Sequence, residues 1–572
     1  MAAATRLGAA LGGPELGRRA ALALALAAAA LLGSGDPAAT EPESGATPAA
    51  RRSAPGPAPL AAPPAGPIAL PLAQEPDPRP VGETIAAAAA TTLIGAERWH
   101  RAGFSGHGVR VGLLDAGFAG YEEALGVTLP PRVIARSFRA DGNLAGGTDH
   151  GVRAAEVVHA IAPRAELYLV NFSSLDELRE AIDYLLAKQV TIVSFSLGFV
   201  HSGPGDGTGA VNDAVTRGTE AGQLWAVAAG NWGLQHWSGP FVDANNDSRH
   251  EFAGGVSRVQ HRFEAGDLIT VSLRWDDRWG AACSDYDLEL FAPDGSLVRA
   301  GRHVQDCDDD PVEVFQVLAT QSGTYSVGIT DAGSEAAHLL SLLVLGAPDR
   351  GYAIDRPVSP GSLAEPGDHP LVFTVGALDP SSVGFAASPS SSRGPTSDGR
   401  PKPDLIAPTG PSSALTGGFG GTSAAAPHAA GAAALLKEAF PRAGRGELSS
   451  ELRERAIDGD AVASESSAGA GLLHLGSLAG LGLLRPVGAE EAVLDGGLPA
   501  AAGLAELVYR GPDGYPVRFA HLLTPPERPP AAVFRRDGAG GWDVYIVGAP
   551  AFVQSLLLLN NGDQLVIRFR GP

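Results

Sequence analysis

The sequence predicts an α/β fold: a parallel sheet with helices on both faces, an inserted antiparallel β-sandwich and a small β-rich C-terminal appendage. Short apolar runs alternate with helical patterns over residues 109–228 and again over 372–439. Over 262–346 the apolar residues instead recur at every second position, and further strand-like runs follow near the chain end. Strands that alternate with helices form parallel sheets, whereas successive strands with a period of two form antiparallel ones.

Length and composition exclude some classes of protein. The chain has 572 residues, of which 44% are hydrophobic and 18% charged, so more than one folded domain is expected. The formal net charge is -21. An acidic chain is unsuited to binding the phosphate backbone, so we expect no nucleic-acid partner.

Residues 1–35 are predicted to be a signal peptide. Arg18 and Arg19 precede the apolar run Ala20–Leu32, which small residues follow. The run is too short to span a bilayer core of about 30 Å but is typical of a signal-peptide core. An N-terminal anchor and an Ala-rich tail are the alternatives. Residues 36–90 are rich in Pro, Ala and Gly and are predicted to form a disordered linker.

Each element of the α/β unit has a local signal. Val109–Asp115, Glu166–Val170 and Leu224–Ala228 are buried-strand patterns. Ser174 and Glu177 have the spacing of a capping box, so a helix is predicted to begin there.

The predicted sandwich occupies residues 241–350. Its strand patterns, such as LITVSLRW and YSVGIT, are separated by turn signals. Cys283 and Cys307 both lie in this module, and we expect a disulfide between them in an exported protein, with two free thiols as the alternative. A helical stretch over 423–439 resumes the α/β pattern, and residues 483–572 form the predicted appendage.

Four polar residues have the chemistry of acyl transfer. Asp115 ends one predicted strand, and Asn231 follows the end of another. In open α/β sheets, ligands bind at this carboxyl edge of the strands. His150 precedes a helical segment, and Ser423 opens an Ala-rich helix. A serine needs a base to become a nucleophile, a histidine can supply it, and a buried carboxylate can orient the histidine. Each residue alone has an ordinary structural explanation, such as a cap or a turn. Their joint occurrence favours catalysis.

With these motifs the sequence resembles the subtilisin-like serine peptidases, the subtilase family, over residues 91–240 and 351–482. The stretch Gly420–Pro427 around the serine is highly specific to that family. Ser391–Pro395 and Lys402–Pro408 resemble the sequence that leads to its nucleophile. The resemblance implies that these two segments form one discontinuous, subtilisin-like catalytic domain.

The resemblance also implies roles for individual residues. Asp115, His150 and Ser423 would form the catalytic triad, and the Asn231 amide with the Ser423 N–H would bind the oxyanion. The strand that binds substrate would contain Ser196, Leu197 and Gly198.

The sequence departs from the family pattern in several places. Ala116 stands where the family usually has Ser or Thr, and Val152 follows His150-Gly151 where Thr is usual. Neither change removes a member of the triad. The insertion resembles the pre-peptidase C-terminal type of β-sandwich, here internal to the catalytic domain. No α/β prodomain is recognised before residue 90.

Two acidic segments are candidate Ca²⁺ sites. Asp243, Asn245 and Asp247 alternate oxygen ligands along the chain, which suits a hard cation in an exported protein. A second group surrounds the cysteines and consists of Asp285, Asp287, Asp306, Asp308, Asp309 and Asp310. A solvated acidic loop is the alternative in each case, and catalysis requires no cofactor.

The sequence therefore predicts a secreted serine endopeptidase acting on protein or peptide substrates through an acyl-enzyme intermediate. We expect a monomer whose mature form has no membrane span. The main alternative is a catalytically silent subtilase scaffold that acts as a binding protein. An esterase with the same triad is a third possibility.

Overall fold

The structure is a computed structural model, and the part of the chain that it describes is discontinuous. The described residues are 68–71, 87–334, 336–346, 352–379, 385–409, 412–413, 417–458, 465–476, 484–486, 504–509, 515–516, 530–536, 542–546, 556, 558–559 and 563–569. The predicted signal peptide and most of the predicted linker lie outside these residues.

A seven-stranded parallel sheet forms the centre of the α/β domain. Its strands are, in spatial order, β17 (Leu405–Ala407), β16 (Phe373–Ala377), β7 (Leu224–Ala228), β5 (Ile192–Phe195), β2 (Arg110–Asp115), β4 (Glu166–Asn171) and β3 (Ile134–Ser137). Every neighbouring pair is parallel, as the alternation of strands and helices predicts.

Helices cover both faces of this sheet. The described helices are α1 (Ala87–Leu93), α2 (Ala96–Arg101), α3 (Tyr121–Ala124), α4 (His150–Ile161), α5 (Leu175–Ala187), α6 (Ala210–Glu220), α7 (Gly421–Ala439), α8 (Arg445–Glu454) and α9 (Glu465–Ala468). Along β2, Val111 and Leu113 join the hydrophobic cluster that contains α4 and α7, whereas Leu114 joins the cluster that contains α5 and α6. The strand is continuously apolar because both of its faces are buried. The predicted fold class is confirmed.

Two helices illustrate how the sequence sets local structure. The Ser174 side chain accepts a hydrogen bond from the Glu177 N–H, and the Glu177 carboxylate accepts one from the Ser174 N–H, so the predicted capping box forms at the start of α5. In contrast, α7 is rich in alanine and buried on nearly all sides. A helix that is apolar all round belongs inside a domain, and small side chains let its neighbours approach closely.

A short strand after β5 leaves the sheet and pairs elsewhere. This strand, β6 (Leu197–Val200), pairs antiparallel with β1 (Ile68–Pro71). The structure therefore differs from the sequence prediction, which placed 36–90 in a disordered linker. Composition alone does not reveal that an apolar extended segment can obtain its backbone hydrogen bonds from a distant strand.

The insertion consists of two antiparallel four-stranded sheets. One has the order β13 (Val312–Leu318), β10 (Leu268–Trp275), β15 (Leu339–Leu345), β8 (His236–Pro240). The other has the order β12 (Leu297–Gly301), β11 (Tyr286–Phe291), β14 (Gly323–Asp331), β9 (Val259–Phe263). Residues of both sheets share one hydrophobic cluster, as expected of a sandwich.

The sandwich begins earlier in the chain than the sequence suggested. Strand β8 lies before residue 241 and pairs with β15, so it belongs structurally to the insertion. The expected disulfide between Cys283 and Cys307 is present.

The remaining strands form small antiparallel sheets. The appendage has a sheet with the order β20 (Leu484–Pro486), β21 (Leu504–Tyr509), β26 (Gln564–Phe569), β23 (Pro530–Arg536), β24 (Trp542–Ile546). Two-stranded pairs are formed by β18 (Ser412–Ser413) with β19 (Gly417–Gly418), and by β22 (Tyr515–Pro516) with β25 (Leu558–Leu559). In the described ranges, none of the helices combines the length and apolar character that a membrane span needs.

Candidate active site

A buried carboxylate and a histidine meet at the carboxyl edge of the sheet. Asp115 is the last residue of β2, and His150 is the first residue of α4. Both carboxylate oxygens of Asp115 lie 2.9 Å from Nδ1 of His150. The two side chains are only 2% and 6% exposed, so solvent screens the contact weakly. The Ala116 N–H donates to Asp115 Oδ1 over 2.7 Å, so this backbone donor supports the carboxylate.

Close packing fixes the start of α4. A Cβ atom on Gly151 would lie 2.5 Å from the ring of Phe118, so only glycine fits at this position. The Gly151 N–H donates to the Gly117 carbonyl over 3.0 Å, which ties α4 to the loop after β2. The ring of Phe419 packs edge-on against the His150 imidazole, with centroids 5.4 Å apart. His150 Nε2 is buried and has no hydrogen-bond partner among the described residues.

Ser423 lies in the first turn of α7 and is fully buried. Pro427 has no N–H, so it cannot donate to the Ser423 carbonyl as a residue four positions later in a helix normally does. The Ser196 hydroxyl donates to that carbonyl instead, over 3.0 Å. Ser196, between β5 and β6, therefore holds the turn that carries Ser423.

The Asn231 amide contacts the same turn of α7. Its Oδ1 accepts hydrogen bonds from the Thr422 N–H at 2.9 Å and from the Thr422 hydroxyl at 3.0 Å. The approach is close, because a Cβ on Gly421 would lie 2.6 Å from Asn231 Nδ2, and Gly421 has a φ of +63°. Since Oδ1 is engaged as an acceptor, Nδ2 is the edge of the amide that can donate to a ligand.

Of the residues predicted for substrate binding, Ser196 contacts the Ser423 backbone. Leu197 and Gly198 are in β6, and Ser196 directly precedes it. In the β1–β6 pair, Gly198 faces Leu70 and Leu197 faces Pro71. An extended segment of the chain therefore already pairs with this strand.

The structure brings the predicted residues together in two groups, and no hydrogen bond between described residues joins His150 Nε2 to the group that contains Ser423. Asp115 contacts His150, Ser196 bonds the Ser423 carbonyl, and the Asn231 side chain bonds the residue before Ser423. The packing of Phe419 on His150 connects α4 to the chain just before α7.

Sequence reasoning missed three supporting residues: Asn171, Thr422 and Phe419. Asn171 is fully buried, and its Nδ2 donates to the carbonyls of Asn143 and Leu144 over 2.9 and 3.1 Å, which holds the loop beside Asp115. A polar residue at the end of a strand adjacent to β2 was a usable signal for Asn171. The contacts of Thr422 and Phe419 join distant parts of the chain and have no local signal.

His428 is a buried histidine in the helix that carries Ser423. His428 donates from Nδ1 to the Ala424 carbonyl at 2.7 Å within α7. Burial lowers the pKa of His428 to about 4, so this imidazole is neutral at physiological pH.

The candidate Ca²⁺ ligands form compact loops. Oδ1 of Asp243 and Oδ1 of Asn245 both accept from the Asp247 N–H, at 3.1 and 3.0 Å, so the loop is also satisfied by its own backbone donors. In the second segment, carboxylate oxygens of Asp306, Asp308 and Asp309 lie within 4.8 Å of one another.

Comparison with known proteins gives the family. The subtilase model, Peptidase_S8, matches residues 106–255 and 319–474, just over half of the chain. The chain therefore belongs to the subtilase family and is a serine-type peptidase.

Among solved structures, it is similar to the CspB protease of Clostridium perfringens, with 16% identity and a TM-score of 0.49; the match covers 68% of this chain and 97% of that one. It is also similar to MycP1 with its N-terminal propeptide removed, at 16% identity and a TM-score of 0.36, covering 68% and 94%. No curated protein matches the sequence.

Proposed function

We propose that the protein is a secreted endopeptidase in which Asp115, His150 and Ser423 form the catalytic triad. The observation that carries this proposal is the buried Asp115–His150 contact, with both carboxylate oxygens 2.9 Å from Nδ1. A carboxylate in this position keeps the imidazole proton on Nδ1 and leaves Nε2 to act as the base. Membership of the subtilase family supplies the reaction class, peptide-bond hydrolysis.

In the proposed mechanism, His150 Nε2 takes the hydroxyl proton of Ser423 as the serine oxygen attacks the scissile carbonyl. Asp115 stabilises the imidazolium that forms. The imidazolium then gives its proton to the leaving amine, which releases the first product and leaves the acyl-enzyme. Water, activated by the same histidine, hydrolyses the acyl-enzyme and regenerates the serine.

The oxyanion of the tetrahedral intermediate would be bound by two donors. One is Asn231 Nδ2, oriented by the two Thr422 bonds to Oδ1. The other is the Ser423 backbone N–H at the start of α7, where the helix dipole favours negative charge. Donors held in place before the reaction stabilise developing charge without the cost of reorganisation.

We expect substrate to bind as an extended strand beside Ser196, Leu197 and Gly198. The pairing of Ile68–Pro71 with β6 supports this expectation, because it shows that this edge of β6 accepts an extended segment, whose place the substrate would take. Backbone pairing does not depend on side-chain identity and therefore suits protein and peptide substrates.

We further propose that residues 1–35 direct export and that the protein acts as a monomer without a catalytic cofactor. The apolar run Ala20–Leu32 supports export, and so does the disulfide between Cys283 and Cys307, since disulfides persist in oxidising compartments. A structural Ca²⁺ held by Asp243, Asn245 and Asp247 stays a prediction.

Casein hydrolysis by the purified protein tests the proposed function. We expect the parent to cleave casein at internal bonds and Ser423→Ala to be inactive. Ser449→Ala is the matched control, because Ser449 is also a buried helical serine but lies in α8. Equal cleavage by the parent and by Ser423→Ala would refute the assignment of the nucleophile.

A further inference from the structure

One arginine of the inserted sandwich reaches the loop that follows β6. Arg274, in β10, donates from Nη1 to the Gly203 carbonyl over 2.7 Å and to Glu365 Oε1 over 3.0 Å. The side chains of Arg274 and Glu365 are only 12% and 3% exposed. A buried, charge-assisted pair of this kind ties the two domains at a defined place.

Glu365 in turn holds β6 and the chain just after it. Its backbone carbonyl accepts from the Phe199 N–H, within β6, over 2.9 Å. Its Oε2 accepts from the Ser202 hydroxyl. The contacts therefore run from the sandwich through Glu365 to the strand that directly follows Ser196.

A second set of contacts reaches the same segment. His201 is the first residue after β6, and its Nδ1 lies 2.8 Å from the Ser272 hydroxyl of β10. Its Nε2 lies 3.3 Å from the Ser341 hydroxyl of β15. Burial holds the pKa of His201 well below its usual value, and the Arg274 charge lowers it further, so the imidazole is neutral.

The sandwich also shares apolar packing with the α/β domain. In β15, Leu340, Leu342 and Val344 belong to the core of the sandwich. Leu343 and Leu345 instead belong to the cluster that contains α4 and α7. Because alternate residues of a strand face opposite sides, β15 is buried on one side by the sandwich and on the other by the α/β domain.

We propose that the inserted sandwich is a brace for the substrate-binding strand and that Arg274 is its positioning residue. This inference rests on the proposed function, in which β6 binds substrate. Arg274 does not contact the Asp115–His150 pair; it acts through Glu365 and Gly203. Its loss would leave the buried Glu365 carboxyl group without its guanidinium donor, and β6 would lose this connection to the sandwich.

Kinetics with substrates of two lengths test the brace. In Arg274→Met we expect kcat/KM to fall about tenfold for a peptide amide with several residues before the scissile bond. The rates of single-residue ester hydrolysis and of fluorophosphonate labelling should change less than about twofold. Neither compound is long enough to pair with β6. Arg274→Lys, which keeps the charge, should recover part of the loss.

Two further variants keep the test decisive. Arg262→Met is the matched control, since Arg262 is an exposed sandwich arginine that pairs within its own module with Glu264. Arg274→Met combined with Glu365→Gln replaces both partners of the buried pair. If the single variant does not fold, the double variant should fold and still lose activity on the long substrate.

The possible failures are distinguishable. An equal loss on long and short substrates, or no loss on either, would overturn the brace while leaving the proposed function intact. A folded parent that cleaves neither substrate would overturn the proposed function, and the inference with it.

Discussion

Asp115 and His150 contact each other where water has almost no access. Their side chains are 2% and 6% exposed, and the ring of Phe419 covers part of the imidazole. Exclusion of water strengthens the attraction between a carboxylate and the imidazolium that forms during proton transfer. The protein thus places its proposed base where a transient positive charge is stabilised.

Asp115→Asn tests this arrangement. The amide is nearly isosteric but uncharged, and its NH₂ group favours the wrong imidazole tautomer. We expect kcat to fall by about 10⁴-fold with little change in KM, as measured with a chromogenic peptide amide. Thermal unfolding controls for the fold, and a loss smaller than tenfold in a folded variant would argue against the assigned role of Asp115.

Asn231→Ala tests the second donor of the oxyanion hole. We expect kcat to fall by about 10²- to 10³-fold, the size measured for the oxyanion-hole asparagine of subtilisin, a member of this family. Thr422→Val removes the hydroxyl bond to Oδ1 and the bond that this hydroxyl accepts from the Gly230 N–H, but it keeps the backbone bond to Oδ1 and should cost much less. Similar losses in both variants would indicate that Asn231 acts only by holding the start of α7.

At the scale of elements, α7 depends on a bond from outside the helix. Pro427 removes the usual donor to the Ser423 carbonyl, and the Ser196 hydroxyl replaces it. The local sequence pattern predicts α7, and the family resemblance places Ser196 beside the cleft. Neither predicts the bond between α7 and Ser196, which joins distant parts of the chain.

A double-mutant cycle tests this replacement. Ser196→Ala removes the hydroxyl donor to the buried Ser423 carbonyl and should lower the free energy of unfolding by about 1–3 kcal/mol. Pro427→Ala restores a backbone N–H in the helix, so the loss caused by Ser196→Ala should be smaller in that background. Denaturant unfolding measures each variant. Strictly additive changes in the free energy of unfolding would show that the Ser196 hydroxyl does not replace the donor that Pro427 lacks.

Strand β1 marks the limit of what composition predicts. The apolar strands of the parallel sheet were visible because a buried strand must be apolar. Ile68–Pro71 lies in a Pro- and Ala-rich segment and pairs with β6 through backbone groups, which any residue except proline supplies in full. A pairing that uses no particular side chain leaves no pattern in the sequence.

At the scale of the whole molecule, the sandwich and the α/β domain are joined by shared core residues and by the buried contact between Arg274 and Glu365. The period of two predicts the sandwich, but the sequence pattern places its first strand, His236–Pro240, in the catalytic domain. The boundary was missed because β8 is short and its partner β15 lies far along the chain.

Glu313 lies inside the sandwich, where it is only 2% exposed, and it makes the free energy of unfolding depend on pH. Burial raises its pKa from 4.5 to about 8, and the nearby Asp287 and Asp285 carboxylates add to the effect. The folded state therefore holds the Glu313 proton more tightly than the unfolded state does. The contribution of protonated Glu313 to the free energy of unfolding is complete below pH 4.5 and is lost as the pH rises through about 8.

Glu313→Gln should flatten that dependence. The parent should lose stability across this pH range at a slope of up to about 1.4 kcal/mol per pH unit from this group, and the variant should not. Denaturant unfolding below pH 4.5 and above pH 8 measures the difference. Glu220→Gln, at an exposed site, controls for net charge. The same slope in parent and Glu313→Gln would contradict the prediction.

The central claim is that His150, oriented by Asp115, activates Ser423. Labelling with a fluorophosphonate probe, followed by mass spectrometry of the labelled peptide, tests it most directly. We predict one modified residue, Ser423, with labelling abolished in Ser423→Ala and strongly slowed in His150→Ala. A label on another residue, or an undiminished rate in a folded His150→Ala variant, would contradict the claim.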